Sequence, residues 1–421
     1  MLNLKIPPLP FCSLLIIIAL TLSGCSQPEP VFECTDSIGC VDIEPGEPLK
    51  IGVIQALSGK VAPLGQEQLR GIELALDRWN QEILGHSLVL QIEDTGCSAE
   101  GGANAALKII ADPQTVAILG STCSGAAATA SKAMADAGLT MVSGNNSAPF
   151  LTSIAGQKAP NWQPGYFRTS SNEENAGQGA AFFAFHKLGL RKAATINDGD
   201  IYTRGLTNGF AKKFQEIGGE IVLETSINKG DTEMQPVLTA VQNAKAEILF
   251  FPLFQPEGNH LLLQARKMID SKDLILMSDG ALIENSFIEA VQEAGIGMYF
   301  VGPSSSESPA SKELANKYDA KFSVDPAAIY YQNAYDAGSI LLEAISKVAV
   351  QDTDGSLHIG RQELRQALYA VKDYSGVTGS LTCDQFGDCA MPVFNVLRLD
   401  DPEAGLEGLQ SNVMFTYSPS K

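Results

Sequence analysis

Positive charge is scarce in this 421-residue chain, where 29 Lys and Arg stand against 48 Asp and Glu for a formal charge of −19. No cluster of Lys or Arg survives among the acids. The basic stripe that displaces counterions from nucleic acid is therefore missing, and attraction to an anionic membrane surface is disfavoured as well. Histidine is equally sparse: His86, His186, His260 and His358 are scattered, with no pair at metal-ligand spacing. The sequence has no G-x-x-x-x-G-K-[ST] run, no G-x-G-x-x-G after its first strand and no G-x-S-x-G nucleophile turn. No cofactor, metal or catalytic residue is expected on these grounds. What the chain does have is 45% apolar and 18% charged residues. That is enough apolar surface for sizeable cores, and the length suggests two or three domains.

Long hydrophobic runs are also rare. The one at the start, from Leu9 to Leu22 after the single charge Lys5, is shorter than the roughly 20 residues a membrane-spanning helix needs. It reads as the apolar part of a signal peptide over residues 1–24. The run closes on Leu22-Ser23-Gly24-Cys25, which resembles a lipobox and makes Cys25 the expected lipidation site. A general secretory signal with a chance cysteine is the alternative; either way the mature protein leaves the cytoplasm. Residues 25–48 then carry six acids, no base and four prolines, the composition of a solvated tether.

With Cys12 in the leader and Cys25 at the lipid site, six of the eight cysteines remain for an oxidising compartment, where an even number implies disulfides. Cys34 with Cys40 and Cys383 with Cys389 would each close a short loop, leaving Cys97 for Cys123, although about 15 connectivities are formally open. No pair has Cys-x2-Cys spacing, so zinc is the weaker rival.

From Lys50 onward, short β-branched runs alternate with longer helical patterns, the sign of βαβ units and parallel sheets. Strands are expected at 50–55, 88–93, 116–120 and 139–143, then at 193–197, 220–224, 247–251, 274–277, 298–301 and 392–399. Helices are expected at 67–84, 102–111 and 124–137, then at 173–188, 203–217, 235–244, 258–269, 283–294, 310–322, 328–348 and 361–371. The pattern starts twice, which implies an α/β fold of two doubly wound lobes. Ligands of such sheets bind at the carboxyl ends of the strands.

Several strand ends carry turns suited to a ligand. Gly120-Ser121-Thr122-Cys123-Ser124-Gly125 feeds a helix whose first N–H groups and dipole favour an anion, with Ser124 as a potential cap. Ser143-Gly144-Asn145-Asn146-Ser147 follows the next strand. In the second half, Asp198-Gly199-Asp200-Ile201-Tyr202, Phe251-Pro252-Leu253-Phe254 and Met277-Ser278-Asp279-Gly280 end three further strands. A lone Asp-Gly or Asn-Gly is more often only a turn. Donors on one lobe with an acid and aromatics on the other would suit a zwitterion.

Taken in order, these landmarks resemble the leucine/isoleucine/valine-binding family of solute-binding proteins for ABC transporters, with the type I periplasmic-binding fold. The resemblance runs from Ile51-Gly52-Val53, Leu57-Ser58-Gly59 and Gly71-Ile72-Glu73-Leu74-Ala75 through Asp94-Thr95-Gly96-Cys97. It continues through Tyr202-Thr203-Arg204-Gly205 and Gln264-Ala265-Arg266 to Gly376-Val377-Thr378-Gly379-Ser380, covering roughly residues 50–400. It implies a hinged clamp crossed near Phe167, Gly302 and Met391, with one lobe over residues 49–167 plus 303–390 and the other over 168–302 plus 391–416. It further implies that Ser124, Gly125, Asn145 and Ser147 serve the ligand's carboxylate and amine, that Tyr202 reaches across, and that Asp279 takes the α-ammonium. Leu64 and Phe254 would wall the side-chain pocket. The chain departs from the family pattern at Asn145-Asn146, at Phe254 where a tyrosine is usual, and at Asp279 where the acid is usually glutamate. The implied function is an extracytoplasmic lipoprotein, monomeric, that binds an amino acid of branched-chain type and delivers it to permease subunits. A sensor using the same clamp is the alternative.

Overall fold

The strand Thr115–Gly120 is buried at every position, as a strand covered by helices on both faces must be. It lies in a six-stranded sheet ordered Glu82–Ile83, His86–Asp94, Leu49–Gln55, Thr115–Gly120, Thr140–Ser143, Tyr166–Arg168. Every neighbouring pair is parallel except the one that Glu82–Ile83 makes. A second sheet of seven strands is ordered Glu220–Ser226, Lys192–Asn197, Ile248–Phe250, Ile275–Asp279, Tyr299–Pro303, Phe394–Arg398, Val413–Tyr417. Its first five strands are parallel and its last two antiparallel. The chain passes between the sheets three times: after Arg168, after Pro303 and before Phe394.

In each sheet the strand order reverses next to the first strand laid down. Leu49–Gln55 is flanked by His86–Asp94 and Thr115–Gly120, and Lys192–Asn197 by Glu220–Ser226 and Ile248–Phe250. Such reversals open a crevice at the carboxyl ends of the strands. One apolar cluster joins the two sheets, from Ile54 and Ile118 through Ala148, Leu151 and Tyr202 to Phe250 and Met277. The lobes are thus packed against one another, as in a closed clamp.

This computed structural model describes residues 1–4, 32–304 and 308–419, so the leader's apolar run and Cys25 lie outside the described residues. The chain divides into a short piece, Met1–Glu33, and a compact unit, Cys34–Lys421. Among the described residues no helix is long and apolar enough to cross a membrane. The disulfides Cys34–Cys40, Cys97–Cys123 and Cys383–Cys389 all form.

Three expectations need correction. Residues 25–48 are not a solvated tether throughout, because Cys40–Ile43 is a strand paired antiparallel with Leu357–Gly360, with Val41 and Ile43 buried. Two alternating apolar residues in an acidic stretch were too short a pattern to register as a strand. The first helix spans Ala62–Arg78 and not 67–84. It starts at a Pro-favoured first turn, and it ends where Asn80, Gln81 and Leu84 take positive φ and Glu82–Ile83 turns back on Ser87 and His86. The strand expected at 392–399 is Phe394–Arg398, which joins the second sheet antiparallel, and the edge strand Val413–Tyr417 that follows it was not expected.

Candidate ligand-binding site

On the first lobe, the turns after four strands knit into one floor held by hydrogen bonds and a disulfide. Thr122 Oγ1 donates to Gln55 Oε1 at 2.7 Å and accepts from the Ala56 N–H at 2.9 Å, tying the end of Thr115–Gly120 to that of Leu49–Gln55. The disulfide Cys97–Cys123 adds the turn after His86–Asp94. Ser143 Oγ accepts from the Asn145 and Asn146 N–H groups at 3.1 and 2.9 Å, while the Asn145 amide donates to Thr122 O at 2.8 Å. Asn146 is fully buried, and its Oδ1 accepts from the Ser121 N–H at 3.0 Å. Of the two asparagines that depart from the family pattern, Asn145 therefore faces the cavity and Asn146 holds the floor.

The helix Ser124–Asp136 rises from this floor with Cys123, not Ser124, as its cap residue and with no side chain bonded to its first N–H groups. Ser124 Oγ accepts from the Ala148 N–H at 3.3 Å. An uncapped helix start of this length presents N–H groups and a positive dipole end, which suit a carboxylate.

On the second lobe, Asp200 caps the helix Ile201–Glu216 by accepting from the Tyr202 N–H at 2.9 Å, which fixes Tyr202 at the strand end. The Tyr202 and Phe254 rings lie 5.2 Å apart. The Tyr202 hydroxyl donates to Asp279 Oδ2, and Asp279 also accepts from the Ala281 N–H at 3.3 Å. Asp198 and Asp200 serve their own turn, with Asp198 Oδ1 accepting from the Thr203 hydroxyl at 2.6 Å.

These pieces meet around one narrow cavity. Leu64, Ser124, Asn145, Ser147, Tyr202 and Phe254 all line it, joined by Thr122, Ala281 and Tyr330. Two of the expected residues stand back from it. Asp279 is fully buried behind Tyr202, and Gly125 marks where the lobes touch. A Cβ on Gly125 would sit 2.6 Å from Asp200 Oδ2, so glycine is what lets the helix start approach the opposite lobe.

Charge gives the cavity its character. Burial raises the Asp279 carboxyl well above the ordinary carboxylate range in spite of its hydrogen bonds from Tyr202 and Ala281. Glu173, just before the helix Glu174–Phe182, accepts from the Ser147 hydroxyl at 2.7 Å and is raised likewise, by burial and then by the Asp279 charge. Among the described residues neither acid is in an ion pair. Farther back, the buried Glu67 accepts from the Tyr330 N–H at 2.9 Å and is pushed up to about 8 by burial. Sequence reading missed Glu173 because an acid at a helix start is ordinary. It missed Tyr330, which reaches the cavity only through tertiary packing, and it placed Thr122 in the ligand turn without singling it out.

A family model described as periplasmic binding protein matches residues 48–398. A Leu/Ile/Val-binding protein of Rhizobium johnstonii is 27% identical over 342 residues, covering 80% of this chain and 90% of the relative. Among solved structures, a leucine-binding protein from Thermotoga maritima superposes with a TM-score of 0.74 at 22% identity, covering 84% of this chain and 96% of that one. A solute-binding protein from R. palustris in complex with benzoate reaches a TM-score of 0.73 at 21% identity, covering 89% and 97%.

Proposed function

The chain belongs to the periplasmic binding protein family, and from that premise we propose that it is an extracytoplasmic amino-acid receptor of an ABC importer. One observation carries the reading. The cavity lies where the strand ends of two lobes meet, with an uncapped helix start on one side and a buried carboxylate without a cationic partner on the other. A zwitterion satisfies both. Its α-carboxylate would take the N–H groups at Ser124 and Gly125 together with the Ser124 hydroxyl. Its α-ammonium would turn toward Asp279 and Tyr202. Its side chain would lie against Leu64, Phe254 and Tyr330, which favours a small or branched apolar group.

Burial between the lobes exchanges water for fixed dipoles, so only a ligand that stabilises the closed arrangement over the open one binds tightly. The Leu/Ile/Val-binding relative supports an amino acid of branched-chain type, and Asn145 on the cavity wall admits a more polar one. We place the protein on the membrane through a lipid on Cys25, as a monomer that hands its ligand to the permease. Labelling with a radioactive fatty acid that persists in Cys25→Ser would refute that anchor.

A thermal-shift screen tests the ligand class. Branched-chain amino acids should raise the melting point, since a ligand at 100 times its Kd adds about 2.7 kcal/mol. A shift with benzoate and none with any amino acid would refute the reading.

A further inference from the structure

Four polar groups meet at the cavity from both lobes. Ser147 Oγ donates to Glu173 at 2.7 Å, the Tyr202 hydroxyl donates to Asp279, and the Asp279 charge acts on Glu173. Ser147 and Tyr202 themselves line the cavity, so both acids are one hydroxyl away from the ligand space. Glu173 is 3% and Asp279 0% exposed. Each hydroxyl carries one proton, and neither neutralises the carboxylate behind it.

The groups packed around the pair do not neutralise it. Arg168 is the cation facing Glu173, and it is already engaged with Asp388 at 2.5 Å. Tyr330 faces both acids from its helix and is neutral, its hydroxyl pushed well up by burial and by the two carboxyls. Glu67 and Glu284 act on Tyr330 from farther back and supply no cation. Two ionised carboxylates buried behind one cavity, with the nearby Arg168 already paired to Asp388, are costly enough that one takes a proton.

Resting on the amino-acid reading above, we infer that Glu173 and Asp279 act as one ammonium-binding unit that holds a single shared proton without ligand and releases it to water when a cationic ligand binds. The charge of the site then stays constant. Before binding it is one carboxylate and one carboxylic acid; afterwards it is two carboxylates and one ammonium. The proton leaves as the cation arrives, and no other bond changes. Glu173 thereby becomes a specificity-determining residue. It penalises a ligand with no cation, such as benzoate, which would face the acids and offer nothing to displace the proton.

Linkage fixes the sign of the pH effect. A ligand that expels one proton binds about tenfold more weakly at pH 6 than at pH 7. The test is isothermal titration calorimetry of the whole protein at pH 7 with leucine, isoleucine, valine, alanine and threonine, in buffers of differing ionisation enthalpy. The slope of apparent enthalpy against buffer enthalpy counts the protons. About one proton released per ligand is expected, and Glu173→Gln should cut that to less than half while weakening affinity. Saturable binding with no proton released would overturn the shared proton and leave the clamp standing. Unchanged release in Glu173→Gln would place the proton elsewhere and overturn it too. Failure of every amino acid to bind would overturn both this inference and the function it rests on.

Discussion

Replacing Arg168 by methionine tests whether the ligand floor depends on one buried cation. The side chain is fully buried at the first crossing between lobes. Its Nε pairs with Asp388 Oδ1 at 2.5 Å, its Nη1 donates to the carbonyls of Asn146 and Ala148 at 3.0 and 2.9 Å, and its Nη2 donates to Thr152 Oγ1 at 2.6 Å. Those two carbonyls bracket Ser147, so the guanidinium clamps the peptide that carries a cavity residue. Methionine keeps most of the volume but leaves Asp388 without its cation, while Ala148 O retains the Leu151 N–H at 3.2 Å. Asn146 O retains the Ser170 hydroxyl at 2.9 Å. Breaking one side of a buried pair costs about 3–5 kcal/mol, and the thioether recovers some packing. A net loss of about 3 kcal/mol is expected in urea unfolding followed by fluorescence, with a roughly tenfold loss of ligand affinity in the variant that remains folded. As a control, Lys132→Ala breaks a pair whose side chains are 65% and 67% exposed and should cost less than about 0.5 kcal/mol. A loss of under about 1 kcal/mol for Arg168→Met would refute this account of the clamp.

Other expectations follow from the same geometry. Asp279→Ala should weaken amino-acid binding by about a hundredfold, while Asp352→Ala, outside the cavity, should leave the Kd unchanged; equal effects in a titration would remove Asp279 from the site. Removing the Cys97–Cys123 link, which spans 26 residues, by a double change to serine should cost about 3.5 kcal/mol from loop entropy. A melting point within error of the parent would contradict that. Glu67→Gln addresses pH. Its carboxyl has an ordinary value of 4.5 and is pushed up to about 8 in the fold, so between those values the native state holds a proton that the unfolded chain does not. Stability contributed at this position is therefore lost as pH rises through that window. Relative to the parent, the glutamine variant should gain stability from pH 5 to pH 8 by up to about 1.4 kcal/mol per pH unit. Parallel stability profiles would sink this reading of Glu67.

Period and turn chemistry made much of this architecture legible in the sequence. Thr115–Gly120 and the helices around it were readable because a buried parallel strand is continuously apolar and its helices repeat at three and four residues. The strand ends at Ser124, Asn145, Tyr202 and Phe254 were readable because small, hydroxyl and aromatic residues follow each run. What escaped were features set by partners far along the chain. Cys40–Ile43 is a strand only because Leu357–Gly360 lies beside it, and Tyr330 enters the cavity only because Glu67 holds its N–H. Glu173 had the sequence context of a helix-start acid; nothing local reports that Ser147 and Asp279 converge on it.

The pairing of Cys40–Ile43 with Leu357–Gly360 constrains the order in which the molecule can assemble. The first lobe opens the chain, yet the strand Leu357–Gly360 that pairs with Cys40–Ile43, the helix Tyr330–Val348 that packs on Ala62–Arg78, and the Asp388 that receives Arg168 all come from the far end. Second-lobe residues from Lys192 to Pro303 lay down five adjacent strands in one stretch. Loops that long close slowly, because the entropy of bringing their ends together must be met before any contact rewards it. A growing chain would therefore hold a nearly complete second lobe beside an unfinished first one. The ligand floor, made earliest, would be among the last parts to become rigid.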